Sequence, residues 1–165
     1  MEIKIRPAVF SDLDTILEII NHQILNSTSI YDYEPRDFET HKLWFEDKMS
    51  LDLPVIVAET ENGTIGYATY DCFRQKRGDR FTVEPSVYVG VEFLGKGVGK
   101  LLLAELIQLA KKQKYHTMIG VIDSENKGSI AFHQKYGFET VGVIKESGYK
   151  FDRWLSSVFM QLILE

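Results

Sequence analysis

The chain has 165 residues, of which 44% are hydrophobic and 12% aromatic, and this composition predicts one globular domain, residues 1–165, with its own core. The formal net charge is −5, from 19 Lys and Arg against 24 Asp and Glu, and no basic block is long enough to follow a nucleic-acid backbone, which argues against nucleic acid as a partner. No stretch approaches the roughly 18 apolar residues of a membrane span, and neither a secretory leader nor metal-ligand spacing of Cys and His is present, so we expect a cytoplasmic protein without a metal or a membrane partner.

The first predicted elements are a strand, a helix and a loop. Ile3–Pro7 alternates charged and apolar residues as a strand does, and Ser11 followed by Asp14 resembles a capping box at the start of a helix. Apolar residues then repeat at helical spacing as far as Asn26. Ser27–Pro35 is aromatic and polar without a clean period, which predicts a loop.

A second helix and a hairpin follow this loop. Phe38–Met49 predicts the helix, and Val55–Glu59 and Ile65–Cys72 predict two strands. The strands are joined through Asn62-Gly63, a dipeptide typical of a tight hairpin turn. Phe73–Arg80 predicts a basic loop, because three arginines and a lysine lie within it.

The centre of the chain combines a strand, a glycine-rich turn and a helix. Thr82–Val91 is typical of a strand and carries one acid, Glu84, while Val98–Gln113 predicts an apolar helix. Three glycines alternate between them: Gly95, Gly97 and Gly99. Glycines let backbone N–H groups approach a phosphate, and the dipole of the following helix favours negative charge there. This segment therefore predicts a phosphate-bearing cofactor beside an acid.

A strand, a short helix and two further strands complete the chain. Thr117–Ile122 predicts the strand, and the helix begins at Asn126 or Ser129 and stops before Gly137. The last two predicted strands are Thr140–Ile144 and Trp154–Leu164. Because this order mixes hairpins with β-α-β crossovers, we predict an α/β fold of three layers, with a mixed central sheet of about seven strands and helices on both faces.

The glycine spacing distinguishes three kinds of phosphate site. A P-loop needs GxxxxGK followed by Ser or Thr, and Gly97 stands where that hydroxyl belongs. A Rossmann fingerprint needs GxGxxG, and Leu102 occupies the place of its last glycine. The third is the pyrophosphate turn of the GNAT N-acetyltransferase superfamily, whose pattern is Gln or Arg, two residues, Gly, one residue, then Gly or Ala. Leu94–Gly99 matches it except at Leu94.

The resemblance extends over nearly the whole chain. The sequence resembles the phosphinothricin-type N-acetyltransferase branch of this superfamily in Ile5–Leu13, Ile19–Thr28, Thr82–Val89, the glycine turn, Ala131–Phe138 and Gly148–Trp154. It implies a GNAT-like fold, acetyl-CoA as the cofactor with coenzyme A as the product, and a homodimer. Leu94 replaces the usual Arg or Gln, which removes one polar contact near the pyrophosphate but leaves the backbone donors.

The resemblance also assigns roles to individual residues. Glu84 matches the acid of the family's TVE motif and is the expected catalytic base, because the acceptor amine must lose a proton. His133 is expected either to protonate the coenzyme A thiolate or only to contact the cofactor. The other expected cofactor-binding residues are Val87, Tyr88, Val89, Gly95, Lys96, Gly97, Val98, Gly99, Lys100, Asn126 and Lys135. Among them, the backbone N–H of Val89 is the expected oxyanion donor.

Proline at position 85 is unusual in a central strand. Pro85 has no N–H, so we expect the strand to bulge there and to separate from its neighbour. Such a separation would open a slot in which the pantetheine arm of the cofactor lies.

The acceptor that the resemblance implies is a small amino-acid analogue of the phosphinothricin, methionine sulfoximine or methionine sulfone class. Tyr31 matches a family aromatic residue at the substrate wall, and Arg74, Arg77 and Arg80 suit an acceptor carboxylate. Two alternatives stay open. One is an acetyltransferase of peptide or protein N-termini, and the other is a non-catalytic acyl-CoA-binding module, which would have no need of Glu84.

Overall fold

The computed structural model describes residues 2–165, which form one seven-stranded sheet between two layers of helices. The strands are β1 (Lys4–Pro7), β2 (Val55–Thr60), β3 (Gly63–Cys72), β4 (Thr82–Val89), β5 (Thr117–Asp123), β6 (Glu139–Lys150) and β7 (Arg153–Ile163). The helices are α1 (Leu13–Asn26), α2 (Phe38–Ser50), α3 (Val98–Lys112) and α4 (Lys127–Lys135). Short 3-10 turns cover Phe10–Asp12, Arg77–Asp79 and Val91–Phe93.

The strands lie in the order β1-β2-β3-β4-β5-β7-β6, and all neighbours are antiparallel except β4 and β5. This arrangement confirms the predicted three-layer fold with a mixed sheet. The parallel pairing of β4 with β5 is limited to Thr82 opposite Thr117 and Val83 opposite Met118. Beyond these pairs the two central strands diverge.

Each face of the sheet has its own apolar core. The core between the sheet and α3 includes Leu102 and Leu106 of that helix, and the core between the sheet and α1 and α2 includes Ile16 and Ile24 of α1. All four side chains are fully buried. These residues recur at the helical spacing that the sequence predicted. Full burial of each such side chain stabilises the fold by roughly 1.5–3 kcal/mol.

An ion-pair cluster fixes the start of the chain. Arg6 donates to both carboxylate oxygens of Asp12, at 2.8 and 2.9 Å, and to Glu59 on the neighbouring strand. Burial would raise the pKa of Asp12, but Arg6 and the N–H of Val9 outweigh it and hold that pKa below its usual value. The predicted capping box of Ser11 and Asp14 is wrong, since α1 starts from Asp12 without a side-chain cap.

Two local predictions about strands are also wrong. β4 and β3 stay in register through Pro85, opposite Tyr70, so the expected bulge is absent and only the separation from β5 occurs. β6 continues to Lys150 rather than ending at Ile144, because an irregular stretch before Gly148 interrupts the pairing without ending it. The hairpin then turns through Phe151 and Asp152, whose φ values of 53° and 57° are left-handed.

Candidate active site

A cavity of about 680 Å³ lies where β4 and β5 diverge. One wall is Pro85–Val89 of β4, and the opposite wall is Gly120–Asp123 of β5. The first turn of α3 and the inner side of α4 complete the lining. On β4 the lining begins at Pro85, so Glu84 is the neighbouring residue and does not itself line the cavity. The cavity stands at the carboxyl ends of parallel central strands, where such sheets bind ligands.

The backbone of β4 presents alternate residues to this cavity. The carbonyl of Phe81 accepts from His116 N at the β5 side, whereas Gly90 N donates to Ile65 O beside β3. Because strand N–H groups alternate in direction, those of Val87 and Val89 point into the cleft. The N–H of Tyr88 points to β3, so Tyr88 belongs to the lining but does not offer its N–H to the cavity.

The glycine turn forms a group of free N–H donors at the start of α3. Gly95 and Gly97 have φ values of 75° and 82°, a left-handed conformation that glycine adopts at little cost. The N–H groups of Gly95, Gly97, Val98 and Gly99 donate to no acceptor within residues 2–165. Helix N-termini with free N–H groups bind phosphates, so this turn fits the diphosphate of a nucleotide cofactor.

Glu84 lies beside the cavity on the face of the sheet that α1 and α2 cover. Its direct partner across the β3–β4 ladder is Asp71, so the two carboxylates share that face. The Glu84 side chain is partly buried. Burial, and then the negative charge of Asp71, raise the pKa of Glu84. A carboxylate with a raised pKa takes up a proton more readily, which suits a general base.

The imidazole of His133 lines the cavity and is buried against Gly120 and Phe138. Its Nδ1 lies 2.8 Å from the carbonyl oxygen of Ser129. Since a carbonyl only accepts, Nδ1 carries the hydrogen and Nε2 of the neutral ring is an acceptor. Burial lowers the pKa of His133, which favours this neutral form.

The remaining predicted cofactor residues divide into two groups. Asn126 and Lys100 line the cavity, and Asn126 also caps α4 by accepting from Ser129 N at 3.0 Å. Lys96 and Lys135 are exposed and do not line it, and the ammonium of Lys96 lies 5.2 Å from the centre of the Phe93 ring.

The aromatic loop, Ser27–Pro35, is held against β6 and β7. Tyr31 Oη lies 3.1 Å from Ser157 Oγ, and the Tyr31 ring covers Gly148. The buried ammonium of Lys150 donates to the carbonyls of Ile24, Ser27 and Ile30, at 2.6, 2.9 and 2.6 Å. These contacts hold Tyr31 on the side of the sheet where Glu84 lies.

The arginines of the basic loop are not brought into the cavity. Arg74, Arg77 and Arg80 are all exposed and absent from its lining. Arg80 donates to Arg77 O at 2.9 Å, and Arg74 lies 4.0 Å from Asp79. Their positive charge is therefore presented to solvent ahead of β4.

Sequence analysis did not identify three charged residues that lie near the site. Asp123 lines the cavity and accepts from Thr28 of the aromatic loop, and its place at the end of a buried strand was an available signal. Asp71 and Lys48 lie behind Glu84, and their sequence context resembles that of solvated surface residues. Within residues 2–165, no three His, Cys, Asp or Glu side chains cluster as metal ligands do. No helix in that range is long and apolar enough to cross a bilayer.

Comparison with known proteins supports the interpretation of this cavity as the site of a nucleotide cofactor. The L-methionine sulfoximine/L-methionine sulfone acetyltransferase of Pseudomonas aeruginosa is 41% identical over 166 residues, covering 100% of this chain and 96% of that protein. A phosphinothricin acetyltransferase from Sinorhizobium meliloti, in complex with acetyl-CoA, superimposes with a TM-score of 0.96 at 39% identity, covering 99% and 89%. A ribosomal-protein-alanine N-acetyltransferase from Brucella melitensis has a TM-score of 0.96 at 42% identity, covering 98% and 99%.

The chain shares its architecture with these acetyltransferases: a mixed sheet that opens between two parallel strands, next to a glycine-rich helix N-terminus. Together with the similarity in sequence, this shows that the chain is an N-acetyltransferase. Residues 19–138 match the sequence model of the acetyltransferase (GNAT) family. The chain therefore belongs to the GNAT family. This membership removes the non-catalytic acyl-CoA-binding module from the alternatives.

Proposed function

We propose that this enzyme transfers the acetyl group of acetyl-CoA to the α-amine of a small amino-acid analogue, with Glu84 as the catalytic base. The observation that carries the proposal is the position of Glu84, a partly buried carboxylate with a raised pKa beside the cleft between β4 and β5. The relatives named for methionine sulfoximine, methionine sulfone and phosphinothricin support this acceptor class.

The residues of the cleft fit acetyl-CoA. The N–H groups of Gly95, Gly97, Val98 and Gly99 would hold the diphosphate, with the dipole of α3 adding to their attraction. The cleft beside β4 would hold the pantetheine arm, within reach of Asn126. When bound there, acetyl-CoA supplies the acetyl group as an activated thioester.

Glu84 removes a proton from the acceptor ammonium, directly or through one water. The ammonium N–H bond breaks, a carboxyl O–H bond forms on Glu84, and the amine lone pair becomes available. Val87 and Val89 direct their N–H groups into the cleft, where they are free to donate to the acetyl carbonyl oxygen. Val89 is our candidate for the principal oxyanion donor.

His133 acts in this scheme as a contact and not as an acid. Its Nδ1–H donates to Ser129 O, and burial lowers the pKa of the ring and favours the neutral form. In this form Nε2 carries no proton, so it can accept a hydrogen bond but cannot act as an acid. We therefore assign His133 to holding an amide N–H of the pantetheine arm.

The acceptor binds between the aromatic loop and the basic loop. Tyr31 forms one wall, and Arg74, Arg77 and Arg80 attract the acceptor carboxylate before it binds, which suits their exposed positions. An acetyltransferase of peptide or protein N-termini is the second candidate. The Brucella melitensis structure, named a ribosomal-protein-alanine N-acetyltransferase, is the observation in its favour.

Two measurements test the proposal. Glu84→Gln should lower kcat by about 10²- to 10⁴-fold while acetyl-CoA still raises the melting temperature. Glu105→Gln, an exposed acid on α3, is the matched control and should behave as wild type. Unchanged turnover in Glu84→Gln would remove Glu84 as the base. Release of free thiol should then be followed with phosphinothricin, methionine sulfone, methionine sulfoximine and short peptides, and faster turnover with peptides would overturn the acceptor class.

We further propose that the enzyme is a homodimer that forms along β6. This strand lies at the end of the sheet, and exposed apolar side chains run along it and into β7. They are Val141, Val143, Ile144, Tyr149 and Trp154. A long apolar edge strand is usually covered by a partner, and a second copy offers a self-complementary surface. Val143→Lys should yield a monomer by light scattering, and Leu51→Lys, an exposed control on another face, should not; a wild-type monomer would refute the proposal.

A further inference from the structure

A buried lysine lies behind the candidate base. The side chain of Lys48 on α2 is 3% exposed, and its ammonium donates to the carbonyl of Tyr70 at 2.9 Å. The same ammonium lies 2.6 Å from the carboxylate of Asp71. A buried ammonium is costly unless it is paired, so Lys48 depends on Tyr70 O and on the carboxylate of Asp71, whose own side chain is largely exposed.

Asp71 also faces Glu84. The two residues are direct partners in the β3–β4 ladder, at a position where the strands exchange hydrogen bonds and Cα atoms lie about 5.5 Å apart. Like charges directly opposite each other on a sheet destabilise it. The pairing of Asp71 with Glu84 therefore does not favour folding, and Lys48 offsets only one of the two charges.

Of the other titratable groups around Glu84, two are neutral and the rest are distant, exposed or paired. The positive charge of Arg36, just before α2, acts on both Tyr88 and His41, and Arg36 is paired with Asp32 at 3.5 Å. Burial raises the pKa of Tyr88 and lowers the pKa of His41 on α2 to about 4, so neither carries a charge near neutral pH. β5 has no titratable side chain before Asp123. On α1, Glu18 and His22 lie beside Val89, at the far end of β4. The charged residues of the basic loop are Arg74, Lys76, Arg77, Asp79 and Arg80, of which Asp79 is half-buried and the rest are exposed.

We propose that Asp71 and Lys48 are positioning residues that set the basicity of Glu84. The Asp71 carboxylate increases the proton affinity of Glu84, and Lys48 holds that carboxylate in place and limits its effect. Only Glu84 exchanges a proton with the acceptor, and Asp71 and Lys48 contact neither the acceptor nor the thioester in this scheme. The inference rests on the proposed function, since Glu84 must be the base.

The test is the dependence of kcat/KM on pH in Asp71→Asn, Lys48→Met and the double variant. The charge of the pair is zero in wild type, positive in Asp71→Asn, negative in Lys48→Met and zero again in the double variant. The acid limb should therefore move to lower pH in Asp71→Asn. At a fixed pH on that limb, kcat/KM divided by the plateau value of the same enzyme should be about three- to ten-fold higher than in wild type. It should move to higher pH in Lys48→Met, and the double variant should lie between the two.

A structural role predicts a different result, because the double variant would then be the most impaired. Asp47→Asn, an exposed neighbour of Lys48 on α2, is the control and should leave the profile unchanged. Asp71→Asn keeps a side-chain oxygen that can accept from Lys48, so this variant decides the question even if Lys48→Met does not fold. If Glu84→Gln is inactive, the inference is overturned when the pH profiles of Asp71→Asn and Lys48→Met coincide with that of wild type, or when both shift in the same direction. Full turnover in Glu84→Gln instead overturns the proposed base and this inference with it.

Discussion

Replacement of Gly148 by alanine should displace Tyr31 from the proposed acceptor site. A Cβ added at Gly148 would lie 2.8 Å from Cζ and 2.9 Å from Cδ2 of the Tyr31 ring. Carbon atoms in contact are about 3.5–4.0 Å apart, so the ring must move by about 1 Å or more. Tyr31 lies on a loop and is 38% exposed, and the ring can therefore rotate away without disturbing the core. We expect a small change in stability and a large change in acceptor binding.

The size of that change follows from the contacts that Tyr31 loses. Its hydroxyl would leave Ser157, at present 3.1 Å away, and a hydrogen bond of this kind is worth about 1 kcal/mol. That hydrogen bond is internal to the enzyme, so its loss affects the stability of the loop, and the acceptor loses only its contact with the ring, which is worth roughly 1.5 kcal/mol. Because each 1.4 kcal/mol is a factor of ten, the acceptor KM should rise about ten-fold in Gly148→Ala. The KM for acetyl-CoA should not change, since neither residue lines the cleft.

Steady-state kinetics with methionine sulfone as the varied substrate measures this effect. Gly142→Ala is the matched control, because a Cβ at this position of the same strand meets nothing within 4 Å. In a Tyr31→Ala background, Gly148→Ala should have no further effect. Equal acceptor KM values in Gly148→Ala and Gly142→Ala would refute the reasoning and remove Tyr31 from the acceptor wall.

Two further predictions concern buried polar residues. Lys150→Met should lower the melting temperature and raise the acceptor KM, because the carbonyls of Ile24, Ser27 and Ile30 lose their donor; calorimetry and kinetics that match wild type would contradict this. His41 is buried, has no partner for either ring nitrogen, and has a pKa lowered by burial to about 4. Between pH 6.5 and pH 4 its imidazole is therefore protonated in the unfolded state but neutral in the folded state. The free energy of unfolding should therefore fall by at most about 3 kcal/mol from pH 6.5 to pH 4, and His41→Phe should flatten that slope in urea titrations.

The sequence predicted the parts of the site that depend on backbone conformation. Gly95 and Gly97 adopt the left-handed conformation that only glycine accepts easily, and Gly97 starts α3 as expected. Local rules of this kind need no knowledge of distant contacts.

Features that depend on distant contacts were not predictable. Lys48 and Asp71 meet only because a side chain of α2 reaches β3, and Lys150 reaches α1 from the other end of the chain. Asp12 is paired with Arg6, and α1 starts from Asp12 without the side-chain cap that Ser11 was expected to supply. Each of these is a charged residue whose local sequence resembles an ordinary surface, while its partner lies on another element.

Pro85 explains how the sheet opens without leaving an unpaired donor. β4 is paired on both sides at Val83 but only with β3 afterwards, and Pro85 is the first residue whose N–H would have pointed towards the departing β5. Because proline has no N–H, this position needs no donor partner on that side, and no bulge is required. The next two cleft-side residues, Val87 and Val89, keep their N–H groups, and no neighbouring strand uses them. A single interruption of pairing therefore creates the cleft, frees two donors along it and leaves Glu84 next to its first β4 residue.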